Sequence, residues 1–336
     1  MPVILPPLDE VLASARVVSV PMRVRFRGVS TREAVLLDGP LGWGEFAPFV
    51  EYDDVESATW LAGGLEAAWT GWPAARRDRV EVNATVPAIA ADAVPALLDR
   101  FAGCRTVKVK VAESGQSLAD DLARVRAVRA QLPHAAIRVD ANGGWTLAEA
   151  TAALRALGEV GLQYAEQPCA AVEDLVALRE ALARDGVPVP LAADESIRKA
   201  DDPLRVARSG AVDFAVVKVA PLGGVAATLA VAGQLAAYDV RIVVSSALDT
   251  SVGIAAGLAA AGALPVEPLA CGLGTVTLFE RDVCADPLVQ HAGTLPVRSA
   301  APVPRPAAFA ATPDRVAWWT DRLARCWRVL DARGTA

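Results

Sequence analysis

Five charged residues recur at a near-regular interval through the middle of this chain. Lys110, Asp140, Glu166, Asp194 and Lys218 stand 30, 26, 28 and 24 residues apart. Each ends a short apolar run: TVKVK, AIRVD, LQYAE, PLAAD and FAVVK. Three carboxylates without histidine or cysteine make a hard oxygen donor set, which suits Mg²⁺, with Mn²⁺ able to substitute. With no cation among them, three close anions would repel and their pKa values would rise. A lysine beside another lysine and a metal ion holds its proton less tightly and becomes a base near neutral pH. Lys108 and Lys110 lie two apart on a strand and so share one face. Such a set fits one kind of chemistry. The cation offsets charge building on a carboxylate while a lysine removes the α-proton. Elimination of a β-leaving group, racemisation or cycloisomerisation can follow.

Each residue also has a plain explanation. Lysines mostly lie on surfaces, and Asp140 or Asp194 could cap turns or helices. Glu166 has little capping value at the end of a buried strand before Pro168. Lys218 sits in FAVVKVAP, where a lysine without a partner is costly to bury. Taken jointly, the five positions favour a site.

The elements that must hold these residues follow from the pattern. From about Val80, short β-branched runs alternate with helical stretches such as SLADDLARVRAVRAQL, whose Leu118, Leu122, Val125, Val128 and Leu132 trace one face. The runs are VEVNATV, TVKVKV, AIRVDAN, LQYAEQP, PLAADES, FAVVKVA, RIVVSSA and a weaker LPVEPLA. Eight strand–helix units favour a closed parallel α/β barrel, with strand ends gathered at its C-terminal mouth. An open doubly wound sheet is the runner-up, weakened by the lack of a glycine-rich fingerprint after the first strand. Before the barrel, VVSVPMRVRFRG and REAVLLDG read as strands, LGWGEFAPF as a glycine- and aromatic-rich loop, and residues 55–70 as helix. After Phe279 the alternation fades into a proline-rich stretch and an amphipathic helix, VAWWTDRLARCWRVL. Its tryptophans need a surface, so the tail is expected to return to the N-terminal strands. The expected division is 1–79 as the first part of a cap, 80–279 as the barrel, and 280–336 as the segment packing back on the cap.

Composition narrows the rest. Hydrophobic residues make up 53% of the 336 and the net charge is −6. That supports a large core and argues against nucleic acid or an anionic membrane as partner. Five scattered cysteines without a CxxC pair argue against a disulfide framework or structural zinc and fit a cytoplasmic protein. Neither a signal peptide nor a membrane span is expected; the most apolar stretch, residues 219–238, is interrupted by Pro221, Gly223, Gly224 and Gln234.

The ordered pieces VKVKV, RVDANGGW, AEQP, ADES and VVKVAPLGG resemble the enolase superfamily, in its muconate-lactonizing subgroup. WGEF resembles that family's cap loop, which closes over substrate. PMRVRFRG, NATVPA, GQSLADD, ADESIRKA, VVSSALD and CGLGT extend the likeness, to actinobacterial members of the subgroup, across nearly the whole chain. The resemblance implies a (β/α)7β-type TIM-like barrel with an α+β capping domain built from the N-terminal region and the C-terminal tail. It implies a magnesium-dependent lyase of menaquinone biosynthesis that dehydrates a small dicarboxylate. By position, Asp140, Glu166 and Asp194 would hold the metal. Lys110 would take the α-proton and return a proton to the departing hydroxide, and Lys218 would stabilise the enediolate from the opposite face. Lys108 would lower the pKa of Lys110 and help hold the carboxylate, with Asn142 and Glu195 beside them. Gly223, Ser245 and Ser246 would line the pocket. A racemase or epimerase of the same subgroup is the chief alternative, although PLACGLG stands where dipeptide epimerases carry a DxD motif. The mandelate racemase branch, with its His–Asp pair, is excluded: the two histidines, His134 and His291, lie at no strand end. A non-catalytic barrel is the remote alternative.

Overall fold

The computed structural model describes residues 5–26, 28–198, 203–303 and 307–334. Helix α1 (Leu8–Ser14) leads into an antiparallel sheet of β1 (Ala15–Phe26), β2 (Val29–Gly39) and β3 (Gly42–Phe46). Alternation along β1 turns Val18, Val20 and Met22 inward. Helix α2 (Asp54–Leu65) covers this sheet; Asp53 caps it by accepting from the Glu56 amide. It runs on into a π-helical turn, Glu66–Thr70.

The WGEF segment is strand β3, not a loop. Phe46 is fully buried and meets Trp319 edge-on with ring centroids 5.9 Å apart. Gly44 explains the misreading, because the glycine serves close packing and not a turn. A Cβ there would lie 2.0 Å from the Gly64 carbonyl oxygen of α2. Gly44→Ala should therefore cost about 1–3 kcal/mol through overpacking. A thermal melt checks this; an unchanged midpoint would mean the helix can shift freely.

The barrel strands are parallel and in sequence order. They are β5 (Ala84–Val86), β6 (Thr106–Lys110), β7 (Ala136–Asp140), β8 (Leu162–Glu166), β9 (Leu191–Ala193), β10 (Phe214–Lys218) and β11 (Arg241–Ser245), preceded by β4 (Arg79–Glu81). Between and after them run α3 (Val94–Leu98), α4 (Leu118–Gln131), α5 (Leu147–Gly158), α6 (Val172–Arg184), the short α7 (Glu195–Arg198), α8 (Arg205–Arg208) and α9 (Val219–Leu222), then α10 (Val225–Ala236) and α11 (Ser251–Ala263). Capping boxes at Ser117/Asp120 and Thr146/Glu149 fix the starts of α4 and α5.

The eighth strand differs from expectation. LPVEPLA forms no strand, since Pro265 and Pro268 have no amide to donate. Closure instead rests on the next two residues. Cys271 bridges Val82 and Gly272 bridges Ser245, both in parallel sense. The Cys271 amide donates to Glu81, the Gly272 amide to Val244, and the Asn83 amide to Cys271.

The C-terminal segment splits its contacts. β12 (Thr294–Pro296) pairs with β4, whereas Ala310 bridges Val18 and α12 (Pro313–Gly334) lies on α2 and β1. Trp319 is fully buried there, while Trp318 and Trp327 are half-buried. Arg315 and the Trp319 indole both donate to Glu33 of β2. Burial pushes the Glu33 carboxyl up, but these donors and the Arg315 charge outweigh it and hold it below its usual range. A lowered carboxylate pKa stabilises the fold above the unfolded value near 4.5, and that stability is lost as pH falls through the folded value. Glu33→Gln should cost about 1.5–3 kcal/mol at neutral pH, the range for hydrogen bonds to charged groups, and less at pH 3. Melts at both pH values test it, and equal losses would exclude the charge as the cause.

Among the described residues no helix is long and apolar enough to cross a membrane. The five cysteines are free and buried.

Candidate active site

The strand ladder decides which side chains meet. Lys110 pairs with Asp140 in register, and Asp140 with Glu166. Asp194 follows the last residue of β9, and Lys218 and Ser245 end β10 and β11 in mutual register. Strand alternation sends Lys108, Lys110, Asp140 and Glu166 to one barrel face. All six charged residues of this set are buried, with Lys108, Lys110 and Lys218 at 7% exposure and the acids at 1% or less.

Buried charge demands partners. Lys108 Nζ donates to Asp140 at 3.1 Å and to Glu166 at 3.0 Å. Lys110 Nζ donates to Asp140 Oδ2 and to Asn142 Oδ1, each at 2.5 Å. Lys218 Nζ donates to Asp194. Asn142 passes its amide hydrogen bond on to Glu195 at 3.2 Å. Burial holds the Lys110 ammonium below its ordinary pKa; Asp140 opposes this and Lys108 reinforces it. The Lys108 ammonium is shifted the other way: Glu166 and Asp140 outweigh its burial. Asp140, though buried, is held far below the carboxylate range by Lys110 and Lys108.

Glu166 shows where positive charge is short. Burial and the neighbouring Asp140 push its carboxyl up to about 8, with Asp194 adding to the rise and Lys108 only partly offsetting it. Among the described residues no three His, Cys, Asp or Glu side chains stand together as a ready metal cage, and Lys108 bridges two of the acids. The donor set nonetheless fits a hard divalent cation: three buried carboxylates on adjacent strands, one of them destabilised by crowded negative charge.

Lys110, Asp140, Asn142, Lys218, Ser245 and Ser246 line one small cavity of about 30 Å³, with Lys108. Its walls are Phe26 and Phe49 from the N-terminal domain and Thr85, Ala247, Leu248, Gly272 and Thr275 from the barrel. An organic ligand needs roughly 300 Å³ or more. A second cavity of about 320 Å³ shares Phe26, Lys110 and Asn142 and opens past Gly28, Pro87, Ala88 and Glu113. The two cavities therefore meet at the Lys110 side chain. Arg27, beside Phe26, lies outside the described residues, as do Lys199 and Ala200 of ADESIRKA. Two larger cavities, near 570 and 550 Å³, lie away from these lysines.

Other positions differ from what sequence suggests. Gly223 does not line the cavity; it ends α9 at φ +94° and faces the Thr59 carbonyl of α2. Ser246 does line the cavity, and its hydroxyl also meets Gly272 and Thr275 at the barrel seam. Gln167, present in AEQP but given no role by sequence reasoning, accepts from the Asp194 and Ser196 amides and donates to Ser196 and Cys169. It thereby sets the turn that carries Asp194. Asn142, Gln167 and Leu248 all hold left-handed backbone, at φ +47°, +38° and +62°, a strain that gathers at functional sites.

A family model described as enolase C-terminal domain-like matches residues 91–302, and one described as enolase N-terminal domain-like matches residues 17–68. The chain belongs to the enolase superfamily. It is 60% identical over 329 residues to the o-succinylbenzoate synthase of Mycolicibacterium smegmatis, across 97% of this chain and 98% of that one. Identity to the o-succinylbenzoate synthase of Mycobacterium tuberculosis is 56%, with the same coverage. Among solved structures, muconate lactonizing enzyme from Pseudomonas fluorescens, complexed with muconolactone, shares the fold. Its TM-score is 0.71 at 24% identity, over 91% of this chain and 97% of that one.

Proposed function

We propose that this protein is a cytoplasmic enzyme of menaquinone biosynthesis. It dehydrates 2-succinyl-6-hydroxy-2,4-cyclohexadiene-1-carboxylate to 2-succinylbenzoate, the o-succinylbenzoate synthase reaction. The observation that carries the reading is that Lys110 and Lys218 open into one cavity above buried acids, in a chain 60% identical to an enzyme of that name.

Asp140, Glu166 and Asp194 would hold Mg²⁺. When bound, it would neutralise the substrate carboxylate and so favour loss of the α-proton. The neutral Lys110 amine takes that proton from ring carbon 1, and the C–H electron pair enters the enediolate. Burial and the Lys108 charge supply the neutral amine. The enediolate then expels hydroxide from carbon 6. Lys110 returns its proton to that hydroxide on the same face, giving water and the aromatic ring. Lys218, facing the same cavity from β10, opposes the negative charge from the opposite side. Asn142 keeps Lys110 aimed, and Lys108 acts on it through charge. Glu195 orients Asn142 by accepting its amide hydrogen bond.

Purified protein with Mg²⁺ should consume the diene acid, read as loss of its ultraviolet absorbance. Absence of turnover, alongside exchange of the α-hydrogen of an N-succinylamino acid in deuterated solvent, would replace this reading with racemisation.

A further inference from the structure

The N-terminal domain reaches into the loop that follows β11. Arg32 of β2 is 3% exposed, and its guanidinium spans two walls of the catalytic cavity. Nε donates to the Leu248 carbonyl at 3.1 Å, and Nη2 donates to the carbonyls of Ala247 and Ala47. The guanidinium carbon lies 4.6 Å from the centre of the Phe49 ring. Leu248 and Phe49 both line the cavity with Lys110 and Lys218. Leu248 holds φ +62°, a conformation leucine rarely adopts without support.

A second contact secures the same loop from its far end. Glu45 of β3 is buried and accepts from the Thr250 amide, the Thr250 hydroxyl and the Gly253 amide, at the start of α11. Asp249 accepts from the Ala247 amide and so closes the loop on itself. A Cβ on Gly253 would lie 2.7 Å from Asp249 Cβ and 3.0 Å from the Glu45 carboxyl, so glycine is what lets the acid approach.

We infer that Arg32, with Glu45, is a positioning residue that sets substrate affinity by holding Leu248 and Phe49 in place as opposing walls. The lysines stand on barrel strands held by their own ladder. Releasing the clamp therefore moves the walls and leaves the reacting amines where they are. Loss of wall contacts present in both ground and transition states raises KM and spares kcat. Neither the motifs nor the strand spacing point to Arg32, because its target is backbone.

Arg32→Lys keeps the charge and loses the planar fork. Two readouts separate a clamp from a general contribution to stability. In the free protein, amide exchange at Ala247 and Thr250 should quicken about tenfold, while exchange along β6–β8 stays unchanged. In turnover, which rests on the proposed dehydration, KM should rise about tenfold with kcat within about threefold. Glu45→Gln should quicken exchange at Thr250 in the same way. The exchange measurement needs no substrate, so it decides the clamp even if the diene acid is not turned over. Unchanged exchange and unchanged KM in a folded Arg32→Lys protein would overturn the inference, as would a collapse of kcat at constant KM.

Discussion

Lys110→Ala should lower kcat by about 10⁴, the upper range for loss of a general acid–base group, with the fold retained. Two observations set the size. Lys110 is buried on the cavity wall with its amine drawn between Asp140 and Asn142, and no other described amine shares that position. Lys108, the nearest, is committed to Asp140 and Glu166 and holds its proton firmly. The fold survives because Asp140 keeps Lys108 as counter-charge. Circular dichroism and a melt verify folding, and diene consumption reports the rate. Near-normal turnover would refute the role. The sign of the pH dependence follows as well. The base works unprotonated, so kcat/KM should climb with pH through a value below the ordinary 10.5 of lysine, and this limb should be gone from the variant.

Stripping divalent cations should abolish turnover, to below about one part in a thousand, and Mg²⁺ or Mn²⁺ should restore it. The argument is electrostatic. Glu166 sits at about 8 because burial and neighbouring acids disfavour its charge, and a divalent ion would relieve that strain. Binding to the folded state alone also raises stability, by about 2.7 kcal/mol at a hundredfold excess over Kd. Mg²⁺ should therefore lift the melting temperature of the stripped protein. Glu166→Gln, which removes one charged donor, should suppress both the lift and the restored activity. Full activity in thoroughly stripped protein would sink the metal reading.

Much of this architecture is legible in the sequence because its periodicity is physical. One strand and one helix take a fixed length of chain. Residues spaced by that length reach the same end of neighbouring strands, and the structure indeed sets Lys110, Asp140, Glu166 and Lys218 as the last residues of β6, β7, β8 and β10. The illegible parts depend on backbone. LPVEPLA has a strand's hydrophobicity but lacks the amides, so the pattern misplaces closure by a few residues. Gly44 looks like a turn residue until the carbonyl of Gly64 is seen against it. Arg32 and Gln167 act on main-chain atoms, which leave no mark in side-chain spacing. The left-handed Leu248 cannot be foreseen, because nothing in a leucine announces a positive φ.

The barrel is shut by two residues, and this bears on how the molecule comes into being. During synthesis Val82 leaves the ribosome long before its partner Cys271 exists. Until then β5 and β11 present unpaired edges, the kind of surface on which nascent chains stick to one another. Ser245 and Gly272 meet only when this last stave drops in. The chamber that shelters both amines is thus a late product of maturation.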